Sequence, residues 1–244
     1  PMLADLPALV QQCAPNVGPV TMQAIIKTET AGHVYALADA GPANLPWSQR
    51  KNMVRSLYPA TADEAEATVN DLVAKGHIVA IGLTQVNVKN LPALGYTVRQ
   101  VLEPCTNIAA GAKVLTNFYN SALKRLGTGD KQEALLAAIS AYWSGDFQRG
   151  FTGGYVQQVV NNAGLQVSLK IPNLTAGAVV RGYQGTFRVQ ANGTVTPYNA
   201  PLDAWQVQAK ADAPAAAAAP AARPVSPRYA PLEAPGFVKV TATE

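Results

Sequence analysis

The chain has 244 residues, of which 48% are hydrophobic and 14% charged, and it carries a formal net charge of +4. This composition is typical of a globular protein with one sizeable domain plus extra segments, or with two small domains. It has no apolar run of roughly 18 residues, as a membrane-spanning helix requires, and no dense Lys/Arg cluster that would favour nucleic-acid binding.

The first 165 residues are predicted to be mainly helical. Residues 5–14 and 21–30 have helical periodicity, with Thr21 as a predicted N-cap after Gly18-Pro19. Residues 33–60 are interrupted by Pro and Gly and are expected to be mostly irregular, with a short helix near 48–57. Further helices are predicted at 61–76, 106–127, 130–146 and 153–163, with a short extended segment at 77–87.

The composition changes after residue 165. Residues 166–208 contain short β-leaning runs broken by Gly, Asn and Pro. The stretch "ADAPAAAAAPAA" (211–222) has no large apolar side chain and cannot build a core. We therefore expect a helical domain at 1–165, an irregular extension at 166–208, and a disordered linker and tail at 209–244.

Glu29 is the most informative polar residue. It follows Met22, Ile25 and Ile26 by seven, four and three positions, so it lies on the same helical stripe as these apolar residues. A carboxylate there either reaches water at the rim of the core or serves as a proton donor, because desolvation in an apolar cleft favours the protonated form.

Cys13 and Cys105 are the two cysteines, and neither belongs to a CxxC motif. Nor is there a His/Cys cluster that would indicate a metal site. Two buried free thiols are expected in a reducing compartment, and a disulfide becomes more favourable in an exported protein. The residues alone leave both alternatives open.

Four short blocks occur in order: "IIKTETAG" (25–32), "AIGLTQVN" (80–87), "NIAAGAKVL" (107–115) and "AISAYWSGD" (138–146). Together they resemble the lytic transglycosylases that share the goose-type lysozyme fold. With "QQCAPNV" and "YWSGDFQRGFTGGYVQQV", the match narrows to the peptidoglycan-cleaving component of type IV secretion and conjugation systems. It covers about residues 3–162.

The resemblance implies a lysozyme-like helical domain in which Glu29 is the catalytic acid. It places the hydroxyl of Tyr142 against that acid and joins Cys13 to Cys105 in a disulfide. Substrate-binding residues carried over from the motifs are Thr30, Gly82, Leu83, Gln85, Tyr142 and Trp143. Gly82 would let the backbone approach a sugar closely, and the amide of Gln85 would bond acetamido or hydroxyl groups.

Three positions differ from the general family pattern. Thr30 replaces a Ser and keeps a hydroxyl, whereas Thr84 replaces a Met and is expected to make an apolar cleft wall polar. Trp143 replaces an Asn and is expected to offer an aromatic face to a sugar. Asn107 resembles a helix N-cap with a structural role.

The implied reaction is non-hydrolytic. Glu29 would protonate the β-1,4 bond between N-acetylmuramic acid and N-acetylglucosamine, and the C6 hydroxyl would close a 1,6-anhydro ring without a cofactor or metal. Most glycosidases use two carboxylates, but the nearest candidates, Asp39 and Asp146, match no catalytic position of the family and are expected to be solvated loop residues.

Alternative functions are a hydrolytic lysozyme and a non-cleaving peptidoglycan-binding assembly factor. The expected partners are peptidoglycan strands and, through the tail, secretion-channel proteins, with no nucleic acid. This substrate implies a periplasmic location. No signal peptide is visible, and an initial Pro1 favours a processed or trimmed chain.

Overall fold

The computed structural model describes residues 6–126, 131–165 and 167, and four short strands farther along the chain. The helices are α1 (Leu6–Cys13), α2 (Pro19–Thr30), α3 (Trp47–Arg50), α4 (Ala62–Ala74), α5 (Leu91–Leu94), α6 (Val98–Leu102), α7 (Pro104–Leu126), α8 (Lys131–Ser144), α9 (Arg149–Thr152) and α10 (Tyr155–Asn162). The mainly helical fold predicted from the sequence is confirmed. Within the described part of the chain, no helix is both long and apolar enough to cross a membrane.

Helix α2 begins two residues earlier than predicted. Gly18 precedes it and Pro19 is its first residue, so Thr21 lies inside the helix and the predicted N-cap is wrong. Proline suits this position because its fixed φ matches the helix and the missing N–H would have no partner there. At the other end, Ala31 and Gly32 adopt left-handed backbone with φ of 51° and 91°, which ends the helix directly after Glu29 and Thr30.

A four-stranded antiparallel sheet occupies the region after α2, with the order β2-β1-β3-β4. Its strands are β1 (Leu37–Pro42), β2 (Arg55–Leu57), β3 (His77–Ile81) and β4 (Val86–Asn87). Strand β1 pairs with both β2 and β3, with Leu37 opposite Leu57 on one side and Ile81 on the other.

The prediction that residues 33–60 are mostly irregular is therefore wrong for β1 and β2. The β1 sequence "LADAGP" has no β-branched or aromatic residue, so it lacks the usual composition of a strand. Its conformation comes from the two neighbouring strands, which bond its main chain, and from burial of Leu37, Ala38, Asp39 and Ala40. The predicted helix near 48–57 is shorter, because α3 ends at Arg50 and β2 begins at Arg55.

Two large hydrophobic cores share one partly buried neighbour, Tyr35, which packs against both. The larger core lies among α1, α2, α7, α8 and α10, and includes Met22, Ile25 and Ile26, which are all fully buried. The smaller one lies between the sheet and helices α4 and α6. The predicted apolar stripe of α2 is thus confirmed, and Glu29, which follows it along the helix, is half-buried.

The long helices agree closely with the sequence prediction. Helix α4 has Thr61 as its N-cap, whose hydroxyl accepts from the main-chain N of Glu64, and it is followed by Gly76 with a φ of 77°. The predicted helix at 153–163 corresponds to α10, which is preceded by the separate short helix α9.

A disulfide joins Cys13 at the end of α1 to Cys105 at the start of α7, with their Cα atoms 5.3 Å apart. The pairing implied by the family resemblance is confirmed. It fixes α1 against α7, which begins one residue before Cys105.

Beyond residue 165, four short strands form two antiparallel pairs. These are β5 (Leu169–Lys170), β6 (Val179–Arg181), β7 (Thr186–Arg188) and β8 (Thr194–Val195), with β5 paired to β8 and β6 to β7. The β-leaning runs predicted at 166–208 do form strands at these positions. The predicted linker and tail at 209–244 lie outside the described residues.

Candidate active site around Glu29

Glu29 is half-buried at the C-terminal end of α2, and its side chain has a partner from a distant helix. The hydroxyl of Tyr155, the first residue of α10, donates to Oε1 of Glu29 at 2.7 Å. The two helices are joined again where Nδ2 of Asn162 donates to Oγ1 of Thr28 at 3.0 Å. Helix α10 therefore runs beside α2 and fixes the orientation of the Glu29 carboxyl group.

The ring of Tyr155 is held in turn by Trp143. The two rings are stacked, with centroids 5.6 Å apart and planes within 6°. Trp143 is only 2% exposed, and a Cβ at Gly153 would collide with its ring. The expectation that Trp143 presents a face to a sugar is thus wrong, because the ring is enclosed by the protein. In this position it supports Tyr155.

Gly82 and Asn107 fit together at the turn that follows β3. Gly82 has a φ of 75°, and a Cβ there would collide with the side-chain amide of Asn107. A side chain at position 82 is therefore excluded by Asn107. The prediction from the sequence instead explained this glycine by the close approach of a sugar. Asn107 lies inside α7, so the N-cap interpretation is wrong and the structural one is confirmed.

The side chain of Asn107 bonds three segments. Its Nδ2 donates to the carbonyl oxygens of Ile81 at 2.8 Å and Val101 at 2.9 Å. Its Oδ1 accepts from the main-chain N and from the hydroxyl of Thr84, both at 2.8 Å. One buried amide thus connects β3, α6 and the turn at 82–85 to helix α7.

Thr84 is fully buried against α7. A Cβ on Gly111, one helical turn after Asn107, would lie 2.5 Å from the Thr84 hydroxyl oxygen. The expectation that Thr84 makes a cleft wall polar is therefore wrong, because its hydroxyl faces Asn107. The Asn-x-x-x-Gly spacing on α7 is explained by this contact: the Asn bonds the turn and the Gly leaves room for it.

Gln85 also has a structural position. It is buried with a φ of 54°, and its Nε2 donates to the carbonyl oxygens of Ala36 and Gly82, both at 3.0 Å. Both amide hydrogens are thus used within the protein, and binding of a sugar by Gln85 stays a prediction. The side chain ties the turn to the segment that follows α2.

Thr30, Leu83 and Tyr142 connect the same turn to the helices. The hydroxyl of Thr30 donates to the carbonyl oxygen of Leu83 at 2.9 Å, and both residues are buried. The hydroxyl of Tyr142 donates to the carbonyl oxygen of Thr84 at 2.6 Å. A second tyrosine, Tyr155, donates to Glu29, and the predicted position of the Tyr142 hydroxyl against the acid stays a prediction.

Asp39 is buried within strand β1, with 2% exposure, so its interpretation as a solvated loop residue is wrong. Its carboxylate accepts from the main-chain N of Gly41 at 2.9 Å and from Arg55 Nε at 2.9 Å, and it contacts Nδ1 of His77 at 2.8 Å. Burial alone would raise the pKa of Asp39, but these hydrogen bonds and the charge of His77 outweigh it and lower the pKa below its ordinary value of 3.8.

Asp146 lies in the turn between α8 and α9. Its Oδ1 accepts from the main-chain N of Gln148 and of Arg149, both at 2.8 Å. Partial burial would raise the pKa of Asp146, but these two hydrogen bonds and the nearby charges of Arg149 and Arg125 lower it. Both alternative carboxylates are thus held in structural hydrogen bonds.

Tyr155 is the residue at the site that the motifs did not identify, although it lies in the quoted stretch "FTGGYVQQV" (151–159). A signal was present in the sequence. Tyr155 shares the buried face of α10 with Val156, Val159 and Val160, and a tyrosine hydroxyl on an apolar face requires a hydrogen-bond partner. The partner itself, 126 residues away, could not be found from local spacing.

The described part of the chain contains no group of three or more His, Cys, Asp or Glu side chains arranged to hold a metal ion. Around Glu29 the structure shows a carboxyl group bonded by a tyrosine hydroxyl, at the end of a helix whose buried face is apolar.

Comparison with known proteins agrees with this geometry. The family model for the transglycosylase SLT domain matches residues 8–162. The chain is 39% identical over 160 residues to the type IV secretion system protein virB1 of Brucella suis, covering 64% of this chain and 62% of that protein. It is 33% identical over 176 residues to protein virB1 of Agrobacterium fabrum, covering 71% of this chain and 63% of that protein.

The chain thus spans less than two thirds of the length of these relatives. No solved structure matches it significantly. The family match covers more than half of the chain and includes Glu29, the turn at 82–85, Asn107 and Tyr155. The resemblance found in the sequence is confirmed, and the chain belongs to the transglycosylase SLT domain family.

Proposed function

We propose that this chain is a peptidoglycan lytic transglycosylase with Glu29 as both general acid and general base. The observation that carries the proposal is the half-buried Glu29 carboxyl with the Tyr155 hydroxyl on its Oε1, inside a domain of the transglycosylase SLT family. A carboxyl group held in one orientation by a hydrogen bond can act in proton transfer to and from a substrate.

In the proposed reaction, Oε2 of Glu29 carries the proton, because Oε1 accepts from Tyr155. The proton passes to the glycosidic oxygen between N-acetylmuramic acid and N-acetylglucosamine as the bond from that oxygen to C1 breaks. The substrate's own N-acetyl group stabilises the positive charge at C1, as in substrate-assisted glycosidases. The C6 hydroxyl then bonds to C1 and returns its proton to Glu29, which closes a 1,6-anhydro ring without consuming water.

The surroundings of the other carboxylates support a mechanism with one catalytic carboxyl group. A conventional glycosidase needs a second carboxylate across the scissile bond from the acid. Asp39 is buried under Arg55 and His77 in the sheet, and Asp146 bonds the main chain at the start of α9. Both carboxylates are engaged in hydrogen bonds within the protein, which supports a mechanism with Glu29 as the one catalytic carboxyl group.

Tyr155 is proposed as a positioning residue for the acid. Its hydrogen bond stabilises the carboxylate that remains after proton transfer, and its stacking on Trp143 limits the movement of the ring. The acid therefore keeps one orientation through both proton transfers. This lowers the entropic part of the activation free energy, because the carboxyl group is already aligned with the glycosidic oxygen.

The names of the relatives suggest where the activity is used. The Brucella suis relative is named type IV secretion system protein virB1, and the Agrobacterium fabrum relative is named protein virB1. We propose that this chain opens peptidoglycan locally in the periplasm for the assembly of such a machine. The Cys13–Cys105 disulfide is consistent with an oxidising compartment.

Residues 209–244 are proposed to recruit the enzyme to channel proteins. The family match ends at residue 162, so cleavage is assigned to the preceding domain. The Ala/Pro composition of 211–222 suits a tether, because prolines favour extended chain and the alanines offer no large surface for packing.

Product mass tests the proposal. Purified murein is digested with the full chain, with Glu29→Gln, and with Glu133→Gln as a matched control on the exposed surface of α8. We expect products lighter by one water than those of a lysozyme, unchanged activity for Glu133→Gln, and a loss of at least about 100-fold for Glu29→Gln.

Two other outcomes would replace the proposal. Products that have gained water would identify a hydrolytic lysozyme. No cleavage with retained murein binding would identify a non-cleaving assembly factor. Activity of Glu29→Gln within about tenfold of the unmodified chain would remove Glu29 from the mechanism, because general acid–base catalysis contributes typically 10²–10⁴-fold.

A further inference from the structure

Tyr58 is an aromatic residue with most of its side chain in solvent. It is 61% exposed, more than any other large hydrophobic side chain in the described part of the chain. Its ring nevertheless has a fixed neighbour, since the centroid lies 4.7 Å from that of His33 with the planes inclined by 47°. A single exposed hydrophobic residue needs no explanation, but an exposed ring ordered against a second ring is a surface suited to a ligand.

The location of this pair is set by the end of helix α2. The main-chain N of His33 donates to the carbonyl oxygen of Thr30, the last helical residue, at 3.2 Å. His33 follows Glu29 by four residues, so their Cα atoms are at most about 14 Å apart. Tyr58 directly follows β2, whose last residue, Leu57, pairs with Leu37. Both rings therefore lie in the region where α2 passes into the sheet, on the side of the helix end that carries Glu29 in the chain.

The chemistry of the pair suits a sugar ring. One face of a pyranose consists mainly of C–H groups and packs on an aromatic ring, while its hydroxyl and acetamido groups remain at the edge. The aromatic ring of a tyrosine offers a large flat surface with few rotatable bonds, which is the feature that such stacking uses. Trp143, which the sequence suggested for this role, is buried beneath Tyr155 and cannot perform it.

We infer that His33 and Tyr58 form a stacking platform for a pyranose ring of the glycan strand, near the glycosidic bond that Glu29 cleaves. The choice of ligand rests on the proposed function. The platform contributes binding energy equally before and during the reaction, because it contacts a sugar that is not itself changed. Such uniform binding lowers KM and leaves kcat unchanged.

The kinetic test uses the full chain and solubilised murein, with Tyr58→Ala, Tyr58→Phe and the control Val73→Ala, which removes an exposed apolar side chain from α4. We expect Tyr58→Ala to raise KM about three- to tenfold with kcat within twofold, on the scale of one aromatic contact. Tyr58→Phe and Val73→Ala should keep KM within twofold. An unchanged KM for Tyr58→Ala, or an equal rise in Tyr58→Phe, would overturn the platform, as would a change confined to kcat.

A binding test separates this inference from the proposed function. Chitotetraose is titrated into the Glu29→Gln chain while the ring resonances of Tyr58 and His33 are followed by NMR, and Tyr58→Ala in the same background is the comparison. Saturable shifts of both rings, and weaker affinity in Tyr58→Ala, are expected even if the unmodified chain cleaves nothing. Ring resonances that do not move at saturation would refute the platform, whatever the outcome of the murein digestion.

Discussion

The hydroxyl of Tyr155 lies 2.7 Å from Oε1 of Glu29, although 126 residues separate them in the chain. Because Tyr155 also stacks on Trp143, the orientation of the acid depends on two helices, α8 and α10, as well as on its own. The site is therefore completed by the last helix of the domain.

The first prediction concerns this hydrogen bond. Tyr155→Phe removes the hydroxyl but keeps the ring on Trp143. We expect kcat on murein to fall about tenfold or more, since hydrogen bonds to charged groups are worth about 1.5–3 kcal/mol, while KM changes little.

The matched control is Tyr96→Phe, which alters a half-buried tyrosine between α5 and α6. Tyr96→Phe should leave both kcat and KM on murein unchanged. Steady-state kinetics and a thermal melt of each variant make the comparison. A Tyr155→Phe variant with unmodified kcat would show that Glu29 needs no help from this residue.

Asn107 should be one of the most important polar residues for stability. Asn107→Ala leaves its buried partners on β3, α6 and the 82–85 turn without their hydrogen bonds. Each unsatisfied buried group costs about 1–3 kcal/mol, so we expect a loss of at least about 3 kcal/mol in the free energy of unfolding.

Urea denaturation measures this loss, with the exposed Asn120→Ala on the same helix as the control. Asn120→Ala should shift the free energy by no more than about 0.5 kcal/mol, as is usual for surface substitutions. Equal effects of the two variants would contradict the bridging role of Asn107.

Asp39 should affect stability and not the chemical step. Its pKa is lowered in the folded chain, so it contributes stability that is present above its unfolded pKa of about 3.9 and is lost as the pH falls through the folded value. Asp39→Asn should therefore lower the melting temperature at pH 7, and the difference from the unmodified chain should shrink in acid below about pH 4.

Thermal melts between pH 3 and pH 7 test this, together with kcat measured well below the melting temperature. We expect kcat of Asp39→Asn to stay within twofold of the unmodified value. A loss of 100-fold without unfolding would instead make Asp39 a second catalytic carboxylate.

The disulfide closes a loop with a sequence separation of 92 residues. Its removal by the double substitution Cys13→Ser and Cys105→Ser should lower the free energy of unfolding by about 2–4 kcal/mol, because the cross-link restricts the conformations of the unfolded chain. Denaturation of the oxidised and double-serine proteins measures the difference. Two thiols that react with an alkylating reagent in protein from an oxidising compartment would disprove the bridge.

Deletion of residues 209–244 tests the proposed recruitment role. Digestion of purified murein should be nearly unchanged, because the family match ends at residue 162. DNA transfer or pilus assembly in cells should fall at matched protein levels. Lost digestion would assign part of the active site to the tail, and undiminished transfer would leave the tail without a role in recruitment.

The sequence alone determined the features that depend on near neighbours. The long helices follow from apolar spacing and from caps such as Thr61, and the position of Glu29 follows from its spacing after Met22, Ile25 and Ile26. The order of the motif blocks identified the family, and the pairing of the two cysteines followed from that resemblance.

The tertiary structure decided which polar groups face the protein and which remain available to a ligand. Strand β1 has no strand-like composition and exists because β2 and β3 pair with it, which also buries Asp39. Gln85 bonds the main chain and Trp143 is enclosed, whereas Tyr155 reaches Glu29 from 126 residues away. Strand pairing and hydrogen bonds of buried side chains join segments that are distant in the sequence. Local spacing and composition therefore do not predict them.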